Sequence, residues 1–375
     1  VITNRWSAIG AWLLGAASVP RFVCGIGAGD LFEGALPAQD ALAREVSARV
    51  RRASDPLVYK TGYERFDAQS SIAIYQMTIL GLGQIVLDHP ETRAQYLPTM
   101  REAARRLTNP RLYRYLRGIY ADNGLGDVPL GEGHAYLGYV NLALSMLRSV
   151  DPQLSPRLVQ LNDRLSLAFA ARLRTAPTGL IETYPHETWP PDVAAVAGSV
   201  GLYARAVKRP VRELLGDWGA RFAKCSIDAA SGFLVQRVES GRCTPRDAPR
   251  GSGTAVASYF TSFVDPALSG KLHAALAEHG TARLLGFSAL REYAPGHTGS
   301  GDNNSGPVIF GVSVGATGFG LASARLHRDR ELFEGLYRTA QLFGMPFDTA
   351  EGRGFAAGGA LGNALLLAML TARSP

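Results

Sequence analysis

Two kinds of segment alternate along the chain: one is apolar on most sides and rich in Gly and Ala, the other charged on one face and apolar on the other. Apolar residues at three- and four-residue spacing mark an amphipathic helix lying on a core, whereas an apolar run without a polar face marks a helix buried all round. The pattern predicts helices over 41–53, 67–87, 90–107, 134–149, 156–174, a stretch ending near Ala206, 210–224, 254–263, 266–278, 307–326, 328–343 and 355–371. Long polar loops at 118–133, 178–191, 244–253 and 291–305 lead into apolar segments, and short turns lead into amphipathic ones.

About twelve helices in six pairs predict an all-α fold, an (α/α)6 toroid with small-residue helices inside and amphipathic ones outside. In such a ring the long loops converge at one end. An open solenoid would carry self-similar repeats, and the chain shows none. Residues 225–243 read as a small β-hairpin excursion. The expected division is an N-terminal apolar segment over 1–37 and a single barrel domain over 38–375.

An apolar fraction of 46% is ample for a large core. The net charge of +7 comes from Arg scattered along helices, as at Arg105, Arg106, Arg111, Arg114 and Arg117, without a nucleic-acid-reading motif. Three cysteines are too few for a disulfide scaffold and lack zinc-site spacing. Cys225 and Cys243 bracket the expected hairpin, so they are either bridged, implying an oxidising compartment, or two separate thiols. A chain opening on Val1 suggests that something preceded it. The apolar run from Trp6 to Val19 reads as a remnant of a signal or anchor, or as a packing helix, so a periplasmic or membrane-associated location, through this segment, is expected, with a cytoplasmic one as the alternative.

The chemistry concentrates between Thr178 and Tyr203, where a loop carrying Glu182, Tyr184, His186, Glu187 and Trp189 runs through Pro190 and Pro191 to Asp192 and an Ala-rich helix. Asp192 stands where an N-cap acceptor belongs, and the helix start after it offers N–H groups to an anion. Asp192 is therefore either a cap or a functional carboxylate, and Tyr184 and Trp189 are substrate walls or packing residues. Crowded carboxylates push one another's pKa values apart, which supplies an acid and a base from one residue type. His134 opens an inner helix after a Gly-rich loop; it either faces the pocket as an acid–base group or binds a loop carbonyl. Arg250 with Ser252 binds an anion, or Arg250 pairs with a carboxylate. His297, Asp302, Asn303 and Asn304 form a last polar loop that offers substrate hydrogen bonds or only turn chemistry. Gly253, Gly311, Gly315, Gly318 and Gly320 match no phosphate loop and suit close helix packing. No metal or cofactor motif is present.

Gly131–Tyr139 (Gly-Glu-Gly-His-Ala-Tyr-Leu-Gly-Tyr), Gly179–Asp192 and Arg250–Pro266 together resemble the linalool dehydratase/isomerase-like family over roughly Asp67 to the C-terminus. The resemblance implies an α/α six-barrel with a pocket at the inner-helix N-termini. The family's type enzyme moves protons on an allylic alcohol with a histidine, tyrosines, an aspartate and a cysteine pair. His134 matches the histidine and Asp67 is a candidate for the aspartate. The cysteine pair falls near Thr183 and Asp192 and is not retained.

The expected function is a cofactor-independent acid–base enzyme, a lyase or isomerase acting on a small hydroxylated, terpenoid-like molecule. His134, Glu182 and Asp192 are the catalytic candidates. Tyr184, His186, Glu187, Trp189, Arg250, Ser252, Asp302 and Asn303 are the substrate-binding ones. The alternatives are a glycan-active hydrolase or lyase using paired carboxylates, and a non-catalytic binding toroid.

Overall fold

The computed structural model of the chain describes residues 19–113, 134–239, 241–302 and 305–373, together with Gly15. The expected loop at 118–133, nearly all of the run before Val19, and Asn303 and Asn304 lie outside the described residues. Helix makes up 63% and strand 9%, so the protein is all-α with small antiparallel hairpins added.

The helices are α1 (Ala28–Glu33), α2 (Leu36–Arg52), α3 (Glu64–Asp88), α4 (Arg93–Leu107), α5 (Pro110–Tyr113), α6 (His134–Val150), α7 (Pro156–Thr175), α8 (Pro190–Ala206), α9 (Val211–Leu215), α10 (Trp218–Ser226), α11 (Gly251–Thr261), α12 (Pro266–Ala275), α13 (Val314–Leu326), α14 (Arg330–Gly344) and α15 (Gly359–Leu370). Proline stands in the first two positions of α2, α7, α8 and α12, where its missing N–H costs nothing. Asp265, Ser313 and Asp329 cap α12, α13 and α14 through their side chains.

Several expected boundaries move for identifiable reasons. The helix expected from Ala41 begins at Leu36, because Pro37 already fits its first turn. The segment at 210–224 breaks into α9 and α10 at Gly216, whose φ of 61° ends the first piece. The stretch at 307–326 opens with a hairpin, β3 (Val308–Ile309) and β4 (Val312–Ser313), before α13. Phe355 belongs to a hairpin of β5 (Pro346–Asp348) and β6 (Arg353–Phe355), and α15 starts only at Gly359. The remaining hairpin, β1 (Thr281–Leu284) and β2 (Phe287–Leu290), was not expected at all. The two-residue turns Leu285-Gly286 and Phe310-Gly311 have positive φ at both positions, which twists them to match their strands. Between α10 and Cys243, where the hairpin was expected, the described residues form isolated bridges such as Ile227 with Leu234 and no paired strands.

The apolar helices pack in a sequence that returns to its start: α3 on α6, α6 on α8, α8 on α11, α11 on α13, α13 on α15, and α15 on α3. The amphipathic helices lie behind them, α4 on α3, α7 on α6 and α8, α12 on α11, α14 on α13, and α2 on α15. Phe66–Asp88 of α3 is long and apolar enough to cross a membrane, but 89% of its most apolar 18-residue stretch is buried inside the protein. Gly253 and Gly320 do fill close-packing roles, whereas Gly311 is a hairpin tip and Gly318 has no atom within 4 Å of an added Cβ. Tyr259, near the end of α11, donates to Gln84 Oε1 near the end of α3 at 2.9 Å, and Gln84 in turn donates to Ala368 O and Thr371 Oγ1.

Cys225 and Cys243 are joined in a disulfide across a sequence separation of 18. Closing a loop of that length restricts the unfolded chain by about 3 kcal/mol. Reduction is expected to lower the denaturant midpoint accordingly, measured by unfolding with and without reductant; an unchanged midpoint refutes it.

Candidate active site

The first turn of α8 is built differently from the expectation. Pro190 and Pro191 are the first two helical residues and Trp189 is the N-cap, with no side-chain cap hydrogen bond. Asp192 is therefore the third helical residue and not the cap. The helix start offers no anion site either: the prolines have no N–H, and the N–H groups of Asp192 and Val193 both donate to Trp189 O.

Relieved of capping, Asp192 points its carboxylate at α6, where Tyr139 donates to Oδ1 at 2.5 Å. Burial pushes its pKa up from 3.8 to about 6, and the Tyr139 hydrogen bond pulls the other way without offsetting it. The residue as a whole keeps part of its surface exposed. A carboxyl group that titrates near pH 6 is mostly ionised at pH 7 but keeps a protonated fraction, and paired with a phenol it can both give and take a proton.

His134 begins α6 and is 2% exposed. Its Nδ1 is hydrogen-bonded to Glu182 O, and Arg172 Nη1 lies 2.7 Å from Nε2. A guanidinium only donates, so Nε2 accepts and Nδ1–H donates to the carbonyl. Desolvation lowers the pKa of Arg172. Ala135 N–H also donates to Thr183 O, so the start of α6 holds the 182–184 segment in place. Glu182 thus meets His134 through its backbone.

The rest of the loop is engaged within itself. Glu187 N–H donates to Tyr184 O, closing a β-turn with Pro185 and His186 in the middle; His186 is exposed at φ 61°. Glu187 accepts from Trp189 Nε1 at 3.0 Å and from Arg237 Nη1 at 3.2 Å, and the Arg237 guanidinium covers the Trp189 ring. Tyr184 packs against the core.

A second carboxylate cluster lies where α11 and α13 begin. Arg250 donates to Asp302 and Asp247, each at 2.7 Å, and lies over Tyr293. Ser252 donates to Glu292 Oε1 and the α13 cap Ser313 to Oε2, each at 2.7 Å. Glu292 is 0% exposed, and burial raises its pKa despite both serines and the nearby Arg250. The sequence pattern did not single out Glu292, because it is one charged residue in a polar loop and its serine partners stand 40 and 21 positions away. Asp67, at the start of α3, spends its carboxylate on Thr61 N–H and Oγ1. His297 is exposed. The start of α11 adjoins that of α8, since a Cβ at Gly253 would stand 3.1 Å from Pro191 Cγ.

Beneath these, at the far end of α13, His273 and His327 stack with ring centroids 5.0 Å apart and contact Ser323 and Ser269. Burial lowers both pKa values, that of His327 to about 4. A histidine kept neutral in the fold gives stability that is full above its unfolded pKa of about 6.5 and is lost as pH falls through the folded value. Acid unfolding is expected to set in between pH 6 and 4, and His327→Gln to flatten that part of the stability–pH curve. An identical curve for the variant refutes the assignment.

No family model and no curated protein matches the chain.

Proposed function

We propose that the cyclic run of helix packings is an (α/α)6 toroid and that the chain is an acid–base enzyme, a lyase or isomerase working on a hydroxylated, terpenoid-like molecule. The Tyr259–Gln84 hydrogen bond supports the toroid, because α11 and α3 stand opposite each other in that cycle and the bond crosses its middle at the helix C-terminal ends. The open end is then the one carrying Asp192, His134 and Glu292.

The single observation that carries the activity is the Asp192–Tyr139 pair. Asp192, protonated in part of the population, gives its proton to the substrate hydroxyl as the C–O bond breaks and water leaves. The resulting carboxylate takes a proton from the neighbouring carbon, and the double bond forms. Tyr139 holds the carboxyl in place and steadies its anion. His134 positions the 182–184 segment, with Arg172 fixing its ring. The Cys225–Cys243 bridge suits an oxidising compartment such as the periplasm.

The glycan-active alternative has less support. Glu187 has both oxygens engaged, and Arg237 occupies one face of Trp189, the aromatic best placed to floor a sugar subsite. The test is incubation with allylic alcohols, linalool among them, and with a panel of glycosides, followed by product analysis. Alkene or rearranged alcohol is expected; sugar release without alcohol turnover would overturn the proposal.

A further inference from the structure

The three helices that carry His134, Tyr139, Arg172 and Asp192 also share a buried polar layer. Asn141 and Ser145 on α6, Asn162 and Ser166 on α7, and Ser199 on α8 are all 0% exposed. Asn141 Nδ2 donates to Ser166 Oγ at 2.9 Å and to Ser199 Oγ at 2.8 Å, while Asn141 Oδ1 accepts from Asn162 Nδ2 at 2.7 Å. Asn162 Nδ2 also donates to Ser145 Oγ at 2.8 Å, and Ser145 Oγ donates to Ser199 O at 3.2 Å. The layer is fully satisfied, with no polar side-chain atom left without a partner.

This layer stands in step with the site. Asn141 is seven residues after His134, Ser199 seven after Asp192, and Asn162 seven before Phe169, whose ring centroid lies 5.9 Å from that of His134. Seven residues are two turns, so each member shares a helix face with its counterpart, about 10 Å further along. Between the two levels α6 and α8 touch closely, since a Cβ at Gly138 would stand 2.6 Å from Val196 Cγ2. Gly138 precedes Tyr139, and Val196 lies one turn beyond Asp192. Apolar contact alone holds such a pair loosely along its axis: from Val193 to Leu202, α8 offers only Val, Ala, Gly, Leu and Ser199, and small, similar side chains fit together alike in more than one register. A buried Asn with matched partners discriminates, because sliding a helix by one residue, about 1.5 Å, leaves its amide unpaired.

We propose that Asn141 is a positioning residue: its layer fixes the axial register of α6, α7 and α8 and thereby holds the Tyr139 hydroxyl on the Asp192 carboxylate. The five side chains are sealed from solvent, so Asn141 acts through the helices and not on the substrate. The register matters because a misplacement of about 1 Å between reacting groups costs about a hundredfold in rate. The inference rests on reading the Asp192–Tyr139 pair as the acid–base centre.

The experiment titrates Asp192 in the full chain by carbon NMR of labelled aspartate carboxyls, its signal assigned by loss in Asp192→Asn. The Tyr139 hydrogen bond lowers the Asp192 pKa, so parting the two raises the midpoint, as Tyr139→Phe does. Asn141→Leu, of nearly the same shape, is expected to raise it at least half as far as Tyr139→Phe. In a Tyr139→Phe background Asn141→Leu should add nothing, because the contact it disturbs is already gone. Ser258→Ala is the control: Ser258 bonds Ser323 Oγ at 2.9 Å and Ser269 O at 3.2 Å in a buried layer of α11, α12 and α13, so it should lower stability and leave the Asp192 midpoint alone. An unmoved midpoint in Asn141→Leu, an equal rise in both backgrounds, or an equal rise in Ser258→Ala overturns the proposal. Should Asn141→Leu fail to fold, Ser199→Ala removes one of the two Asn141 acceptors and is judged by the same outcomes. The titration needs no substrate: midpoints as expected without alcohol turnover would uphold the register lock and sink the proposed reaction.

Discussion

Asp192→Asn is expected to lower turnover of any substrate the protein accepts by a hundredfold or more, while the folded state melts at the same temperature or higher. Asn keeps the shape and accepts the Tyr139 hydrogen bond, but it neither gives nor takes a proton. The stability side follows from the raised pKa of about 6 against the ordinary 3.8. A carboxyl group with a raised folded pKa helps the fold below its unfolded value, and that help disappears as pH rises from about 4 through 6. At pH 7 the ionised, buried Asp192 therefore costs roughly 3 kcal/mol relative to its protonated form, and Asn removes that cost. A merely structural Asp192 would give the reverse, retained activity with a lowered melting point, and that result would sink the proposed mechanism. The parent's kcat–pH profile should bend near pH 6 for the same reason, and the bend should vanish in the variant.

Gly201→Ala is expected to destabilise the protein by about 3 kcal/mol, although alanine is the better helix former by about 1 kcal/mol. A Cβ there would stand 2.2 Å from Phe263 O and 2.7 Å from Phe263 C. Those are backbone atoms, so relief requires moving the end of α11 away from α8, and the helix-propensity gain is outweighed. Gly198, one turn earlier, meets Phe260 O at 2.5 Å in the same way. Gly318→Ala is the matching control: nothing lies within 4 Å of its Cβ, so only propensity acts, and stability should hold or rise by up to about 1 kcal/mol. Urea unfolding of the two variants checks the contrast; equal midpoints would refute it.

The helical content and its alternation were written in the sequence, because a 3.6-residue period and a one-sided or all-round apolar pattern are local properties. The same holds for the proline-marked starts of α7 and α12. The hairpins at 281–290 and 308–313 were not legible, since their turns carry Leu285 and Phe310 where a type-I′ turn usually shows Asn or Asp. At the candidate site the sequence misassigned the cap: the two prolines looked like an extended approach to α8 and are its first turn. The Cys225–Cys243 spacing left two outcomes open, and only the Cα separation of 4.8 Å, a tertiary fact, brings the sulfurs together. Tertiary structure also decided the chemistry of each titratable group. Asp192 is shifted by what buries it and by Tyr139 53 positions away, and Glu292 is sealed by serines from two other segments. A residue's identity fixes which proton it carries, but desolvation and partners fix at what pH it lets go, and both come from parts of the chain that only folding brings near.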